Sequence, residues 1–530
     1  MSNLLVDPLF RVRAAGSSTE AMSLPGVYEA MFADRVESFP ALRPHQRHAW
    51  HAFLAQLAVL ALVRAKQDDP PRLASEWRRL LRDLTPGFSE HEPWQLVVED
   101  PSLPAFMQCP VPGGLSEHKK SIPTPDDLDV LVTSKNHDLK SSIGTEAEAD
   151  DWVFSLVSLQ TMGGYLGRGN PGVARMNGGY SSRPCLGLAP AGGGLGAHLV
   201  HDVRQMIGQR PDVLGQYEQY YVPEGGVGLV WLEPWDGMNS LRLTDLDPYF
   251  IEICRRVRLA KRGQRLVALA ATSKKQRVAA AEAKGDLGDH WTPVAIDAEA
   301  KALSISGAGF RYDRLAKLVL DGSAFRQPRA MSMDPAVGGP WRLVARGLAA
   351  GQGKTEGYHE RMDILLAPRV ARSLLGGGEE RETLEALASA QIVEVQEVVS
   401  ALRFGVAVAA SGGKEAEALA RADWDRATPY ARRLDTVADA CFFEALQARF
   451  EANEESRSAT RRDFARHLIK HGEALLREAI DAVPCPVIQR YRAADRARSA
   501  FHGRLRRPDS VFSDQPEIFE TQREAPSHDT

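Results

Sequence analysis

The glycine triplet Gly376-Gly377-Gly378 divides this chain into two stretches of different character. After it, apolar residues recur at helical spacing in four stretches, roughly 379–410, 428–453, 458–482 and 487–507. In the third of these Phe464, Leu468, Leu475 and Ala479 share one face, with Arg and Glu elsewhere. The breaks at Ser411-Gly412-Gly413 and Pro484-Cys485-Pro486 are short, which suits antiparallel neighbours in a four-helix bundle. Before the triplet no such regularity holds. Leu4-Leu5-Val6 and Phe10–Arg13 read as short strands split by Asp7-Pro8. A helix is expected over 45–66, with Trp50, Phe53, Leu54, Leu57 and Leu60 at its spacing and Pro70-Pro71 beyond its end. Prolines recur from 86 to 125, a buried helix is expected over 151–160, and 163–196 is too glycine-dense for regular structure. Residues 226–312 alternate short apolar runs with turn residues and read as mainly β. The fold class expected is α+β: a large mixed α/β N-terminal domain over 1–375, a four-helix bundle over 379–508, and a polar, flexible tail over 509–530.

A chain of 530 residues exceeds one ordinary core. Net charge is −4, with 65 Lys and Arg against 69 Asp and Glu, so bulk charge does not make this a binder of naked nucleic acid. Any such contact must come from local patches or from partners. The cysteines, at 109, 185, 254, 441 and 485, form no C-x-x-C pair, which argues against a disulfide framework and a cysteine-built zinc site. The sequence reads as lacking both a membrane span and a basic, apolar leader, and the expected location is the cytoplasm.

Several segments could carry chemistry. The run 347–355 ends in Gly351-Gln352-Gly353-Lys354-Thr355 and invites a phosphate-loop reading, but Leu348 stands where that motif needs glycine and Gly357 interrupts the helix that should follow. A polar hairpin tip fits better. His45, His48 and His51 fall three residues apart on one helix; as metal ligands they need a further group and an orienting shell, and none is near in sequence, so a solvated or packed helix face fits better. The polar run 133–142 holds Lys135, Asn136, His137, Asp138 and Lys140 and suits either a phosphate grip or an ordinary exposed loop. In Arg175-Met176-Asn177-Gly178-Gly179-Tyr180 the glycines allow close backbone approach, while Arg and Asn can meet bases or phosphates; a structural turn explains the same pattern. The last helical stretch carries Arg490, Arg492, Arg496, Arg498, Arg504, Arg506 and Arg507 against the single acid Asp495, which suits an electrostatic contact with DNA or RNA.

Taken in order, Asn3-Leu4-Leu5-Val6-Asp7, Pro104–Gln108, the 135–140 loop, Arg175-Met176-Asn177-Gly178-Gly179, Asp247-Pro248-Tyr249-Phe250, Trp291-Thr292-Pro293 and Gly351–Arg361 resemble the large subunit of the type I-E Cascade CRISPR complex, the CasA family. The resemblance spans nearly the whole chain. It implies a subunit without catalytic activity or cofactor that sits near the 5′ end of the guide RNA among other Cascade subunits. Such a subunit reads the protospacer-adjacent motif (PAM) in double-stranded DNA, largely from the minor groove, starts strand separation, and recruits a helicase–nuclease.

Carried over residue by residue, Gln352 resembles the wedge glutamine, flanked by Gly351, Gly353 and Lys354. Gly167, Gly169 and Asn170, or the nearby Arg175, Asn177, Gly178 and Gly179, resemble the glycine-rich loop that meets the minor groove. Lys274 or Lys275, with Lys275 preferred, resembles the lysine finger. Lys135, Asn136, His137 and Lys140 match the loop that docks the guide end and holds DNA. The cysteine cluster of some members is missing between Cys185 and Cys254, so no metal is expected. Two other readings stay open: a nucleotide-dependent nucleic-acid enzyme using Lys354-Thr355, and a pure assembly scaffold.

Overall fold

The computed structural model describes residues 2–16, 18–130, 146–296 and 299–519. The chain forms two compact units: Met1–Phe310 with Asp321–Pro368, and Arg311–Leu320 with Arg369–Thr530.

The first unit is organised around helix Arg47–Ala65, whose residues from Ala49 to Leu62 are almost all buried. A helix apolar on every side can be stable in water only when surrounded. By length and composition alone the segment Pro44–Ala65 is apolar enough to cross a membrane, but 78% of its qualifying 18-residue window is buried in the fold, as in a core helix. Lys66 ends the helix in the left-handed region, its N–H returning to the Leu62 and Val63 carbonyls. Against it pack helices Ala74–Asp83, Ala149–Met162 and Leu195–Gln216. The last of these begins directly after the glycine run. Its first turn is capped from another element, since the Asp34 carboxylate accepts from the Gly194 and Ala197 N–H groups at 3.0 and 2.9 Å. Gly196 allows this approach: a Cβ there would stand 2.0 Å from the Met31 carbonyl oxygen.

The β structure is a set of small sheets. Strand Phe10–Ala14 lies between Thr19–Met22 and Val36–Ser38. Hairpin Arg256–Arg262/Arg265–Ala271 adds Lys120–Ile122 at one edge. The longest hairpin, Trp341–Gly351/Lys354–Arg361, pairs through its first strand with Cys185–Pro190.

The second unit is an antiparallel bundle of four helices, Glu379–Ala410, Arg421–Glu451, Glu454–Ala482 and Val487–Leu505, joined by short connections. Phe501 is fully buried and faces two glycines; a Cβ on Gly405 or Gly472 would come within 3.2 or 3.1 Å of its side chain. Helix Tyr312–Leu320 belongs to this unit although it lies far upstream: Tyr312 packs on Phe442 with ring centroids 4.8 Å apart and donates from its N–H to Asp439 at 2.6 Å. The tail expected from residue 509 is corrected for 509–519. Phe512 is fully buried, Arg461 pairs with Asp514 at 2.7 Å, and Gln515 donates to Ser458 at 2.7 Å. Polar composition concealed two apolar anchors, Phe512 and Ile518.

Candidate nucleic-acid interface

Gly351 pairs with Lys354 across the long hairpin, leaving Gln352 and Gly353 as a two-residue turn. Gly353 has φ +70°, a conformation glycine takes without steric cost. Gln352 and Lys354 are exposed. Next to the tip the register slips, so that Ala349 faces Gly357 and Ala350 faces Thr355. Glu356, the extra residue, reaches back to accept from the Gly307 N–H at 3.2 Å and stands 3.4 Å from the Lys354 ammonium. This bulge braces the tip. Lys354-Thr355 therefore opens a strand and not a helix, which removes the helix N-terminus that a phosphate loop requires.

A second tip is the turn Leu166–Asn170, closed by hydrogen bonds of 3.0 Å from Leu166 N–H to Asn170 and from Asn170 N–H to Gly167. Gly167 and Gly169 hold φ +103° and +86°. Between them Arg168 is exposed; the carried-over set omitted it, although a basic residue between two glycines is itself the signal. Gly169 accepts from the Ser273 N–H at 3.0 Å, and a Cβ on it would meet Thr272 at 2.8 Å. This contact clamps the loop bearing Lys274 and Lys275 against the glycine turn. The N–H groups of both lysines donate to the Gly237 carbonyl, at 2.8 and 3.2 Å, so their side chains stand exposed on a fixed backbone. Arg256 holds the loop from behind through the Thr272 carbonyl at 2.9 Å and Glu117 at 2.8 Å. Burial, helped by the Arg256 charge, lowers the His118 imidazole to about 4, so it adds no charge here at neutral pH.

Two carried-over residues are corrected. Arg175 is 2% exposed: its guanidinium lies 3.4 Å from Glu252 and 3.8 Å over the Phe250 ring and donates to the Pro248 carbonyl at 3.1 Å. Burial raises the Glu252 carboxyl, and the Arg175 charge pulls it back. Asn177 is spent on its own turn, donating to Ala302 at 2.8 Å and accepting from Gly179 N–H at 3.0 Å and Ser304 at 3.1 Å. Both serve the fold. The neighbouring Gly178 is exposed at φ +82°, Gly179 is glycine because Ser304 lies against it, and Tyr180 is partly exposed beside Tyr165. The segment then runs along the hairpin: Ser182 N–H donates to the Leu348 carbonyl at 2.9 Å, and Leu348 N–H to the Ser182 hydroxyl at 2.8 Å. The structure thus joins Gly167, Gly169 and Asn170 with Lys274 and Lys275, and sets Gly178-Gly179 on the segment leading to the Gln352 hairpin. Lys135, Asn136, His137 and Lys140 lie outside the described residues.

No family model and no curated protein sequence matches the chain. Solved structures do. CasA of Thermus thermophilus aligns over 95% of this chain and 99% of its own, with TM-score 0.64 and 16% identity. Cse1 of Thermobifida fusca aligns over 95% and 97%, with TM-score 0.65 and 15% identity. A chain of a CRISPR RNA-guided surveillance complex aligns over 94% and 99%, with TM-score 0.54 and 13% identity. The chain therefore has the fold of a group of CRISPR-associated proteins. Within that group it is the fold of CasA, also called Cse1.

Proposed function

We propose that this chain is the non-catalytic large subunit of a type I-E RNA-guided CRISPR surveillance complex, acting in the cytoplasm with the other Cascade subunits and a guide RNA. It reads the PAM in double-stranded DNA, begins strand separation with Gln352, and recruits a helicase–nuclease. The observation that carries this reading is a CasA/Cse1 fold, matched along nearly the whole chain, that ends a braced hairpin in an exposed glutamine. The glycine turn and the paired lysines support it, because a side-chain-poor loop can enter a narrow groove while exposed ammonium groups meet phosphate. Guide pairing would carry sequence specificity, leaving this subunit to read a short motif and to lower the first unstacking step, which costs a few kcal/mol. A net charge of −4 agrees with sibling subunits supplying the long basic groove. The test is Gln352→Ala in the assembled guide-loaded complex. Opening of duplex targets should fall while binding of targets already unpaired next to the motif is kept; equal loss on both would show that Gln352 is no wedge. Loss of assembly itself would favour a scaffold.

A further inference from the structure

The hairpin Arg256–Arg262/Arg265–Ala271 also ends in a two-residue turn, Gly263-Gln264, since Arg262 pairs with Arg265. Gly263 takes the first turn position at φ +62°, where a tight hairpin turn of this kind needs glycine. A Cβ on it would meet nothing within 4 Å, so the tip stands in open space. Lys261, Arg262 and Arg265 are all exposed there, and none of them makes an ion pair or a side-chain hydrogen bond among the described residues. Arg262 and Arg265 face each other directly across the ladder. Like charges placed in that way destabilise a sheet, and no acidic residue between 256 and 271 offsets the repulsion. The two arginines at the base of the hairpin are used differently. Both are buried; Arg258 donates to the Leu103 and Val98 carbonyls at 2.9 and 3.2 Å, and Arg256 is held by Thr272 and Glu117. The base is thus anchored, while the tip offers three unpartnered cations to something outside the chain.

The same hairpin feeds the lysine loop, because strand Arg265–Ala271 runs from this tip straight into Thr272-Ser273-Lys274-Lys275. Its six residue steps span about 20 Å. Successive phosphates of one DNA strand lie about 3.4 Å apart along the duplex axis, so that span matches about six base pairs. We propose that Lys261, Arg262 and Arg265 hold the sugar–phosphate backbone of the duplex flanking the motif, about six base pairs from the contact made by Lys274 and Lys275. This rests on the reading of those lysines as DNA-facing. A guanidinium fork matches phosphate oxygens. Single strands are gripped by stacking their bases on aromatic rings, and the tip has no aromatic residue. Protein interfaces centre on apolar side chains, and no large exposed one lies on the hairpin. Contacts to phosphate alone carry no sequence information, so the tip adds grip and register while the choice of motif is made elsewhere.

The test uses the guide-loaded complex reconstituted with the full chain, either wild type or Lys261→Ala/Arg262→Ala/Arg265→Ala. Binding is measured across a salt series to duplex targets whose paired flank beyond the motif is long or is cut to three base pairs. On the long flank the variant should bind more weakly and lose up to about 3 from the slope of log K against log salt, with its motif preference kept. On the short flank wild type and variant should bind alike. An unchanged slope on the long flank overturns the proposal. So does an equal loss on both flanks, which would place the cations on guide RNA or on an unpaired strand, and so does failure of the variant to assemble, which would place them on a sibling subunit. Lys275→Ala separates this inference from the reading beneath it. A slope that falls in Lys275→Ala but not in the triple variant rejects the tip alone, whereas a slope indifferent to both, with no motif preference in wild type, rejects the DNA-reading assignment itself.

Discussion

Arg175 and Lys275 carry the same charge, and only their surroundings separate a buried fold residue from an exposed one. Removing Arg175 leaves Glu252 buried without its cation, and breaking a buried pair this way costs about 3–5 kcal/mol. Arg175→Ala should therefore lower the urea midpoint sharply whatever the DNA. Lys275→Ala should change stability by no more than about 0.5 kcal/mol, weaken duplex binding evenly across flanking sequences, and reduce the salt slope of binding by about 1. A slope unchanged in Lys275→Ala would remove it from the interface. Gly169→Ala combines a left-handed φ with a Cβ driven into Thr272, and should destabilise by at least about 1–2 kcal/mol. Residue type was legible in the sequence, but exposure was not. Arg175-Met176-Asn177-Gly178-Gly179 has a binder's composition, yet its first and third side chains turn inward to bonds made by residues more than seventy positions away.

At the scale of elements, local signals served well wherever the determinants were local. The two-residue turn at Gln352-Gly353, the helix ending before Gly163-Gly164 and the four bundle helices all follow from spacing and turn chemistry. Helix Leu195–Gln216 was hidden by the glycines before it and by Pro211 within it, and its cap comes from Asp34. The partner of His51 was hidden for the same reason, since His51 and Asp202 meet only when two helices pack. Residues 509–519 belong to the bundle's packing, so Phe512→Ala should cost about 3–5 kcal/mol, read as a lower unfolding midpoint. A midpoint left in place would restore the flexible tail. Glu394 accepts from both Arg449 and Arg461 at 3% side-chain exposure, and Glu394→Ala, which takes from Arg449 its carboxylate and leaves Arg461 only Asp514, should cost a similar amount.

Over the whole molecule, a net charge of −4 provides no bulk attraction for nucleic acid, so the proposed DNA contact needs local exposed residues and partner subunits. The glycine turn, the paired lysines and the Gln352 hairpin all fall in one compact unit, and the other is a helical bundle. Duplexes that differ only in the sequence flanking the guide-matched stretch address this directly. Their binding is measured by gel shift to a reconstituted guide-loaded complex, with and without this chain, at fixed salt. The account predicts that preference for one flanking sequence appears only when the chain is present. Binding that is the same with and without it, for every flank, would contradict the assignment.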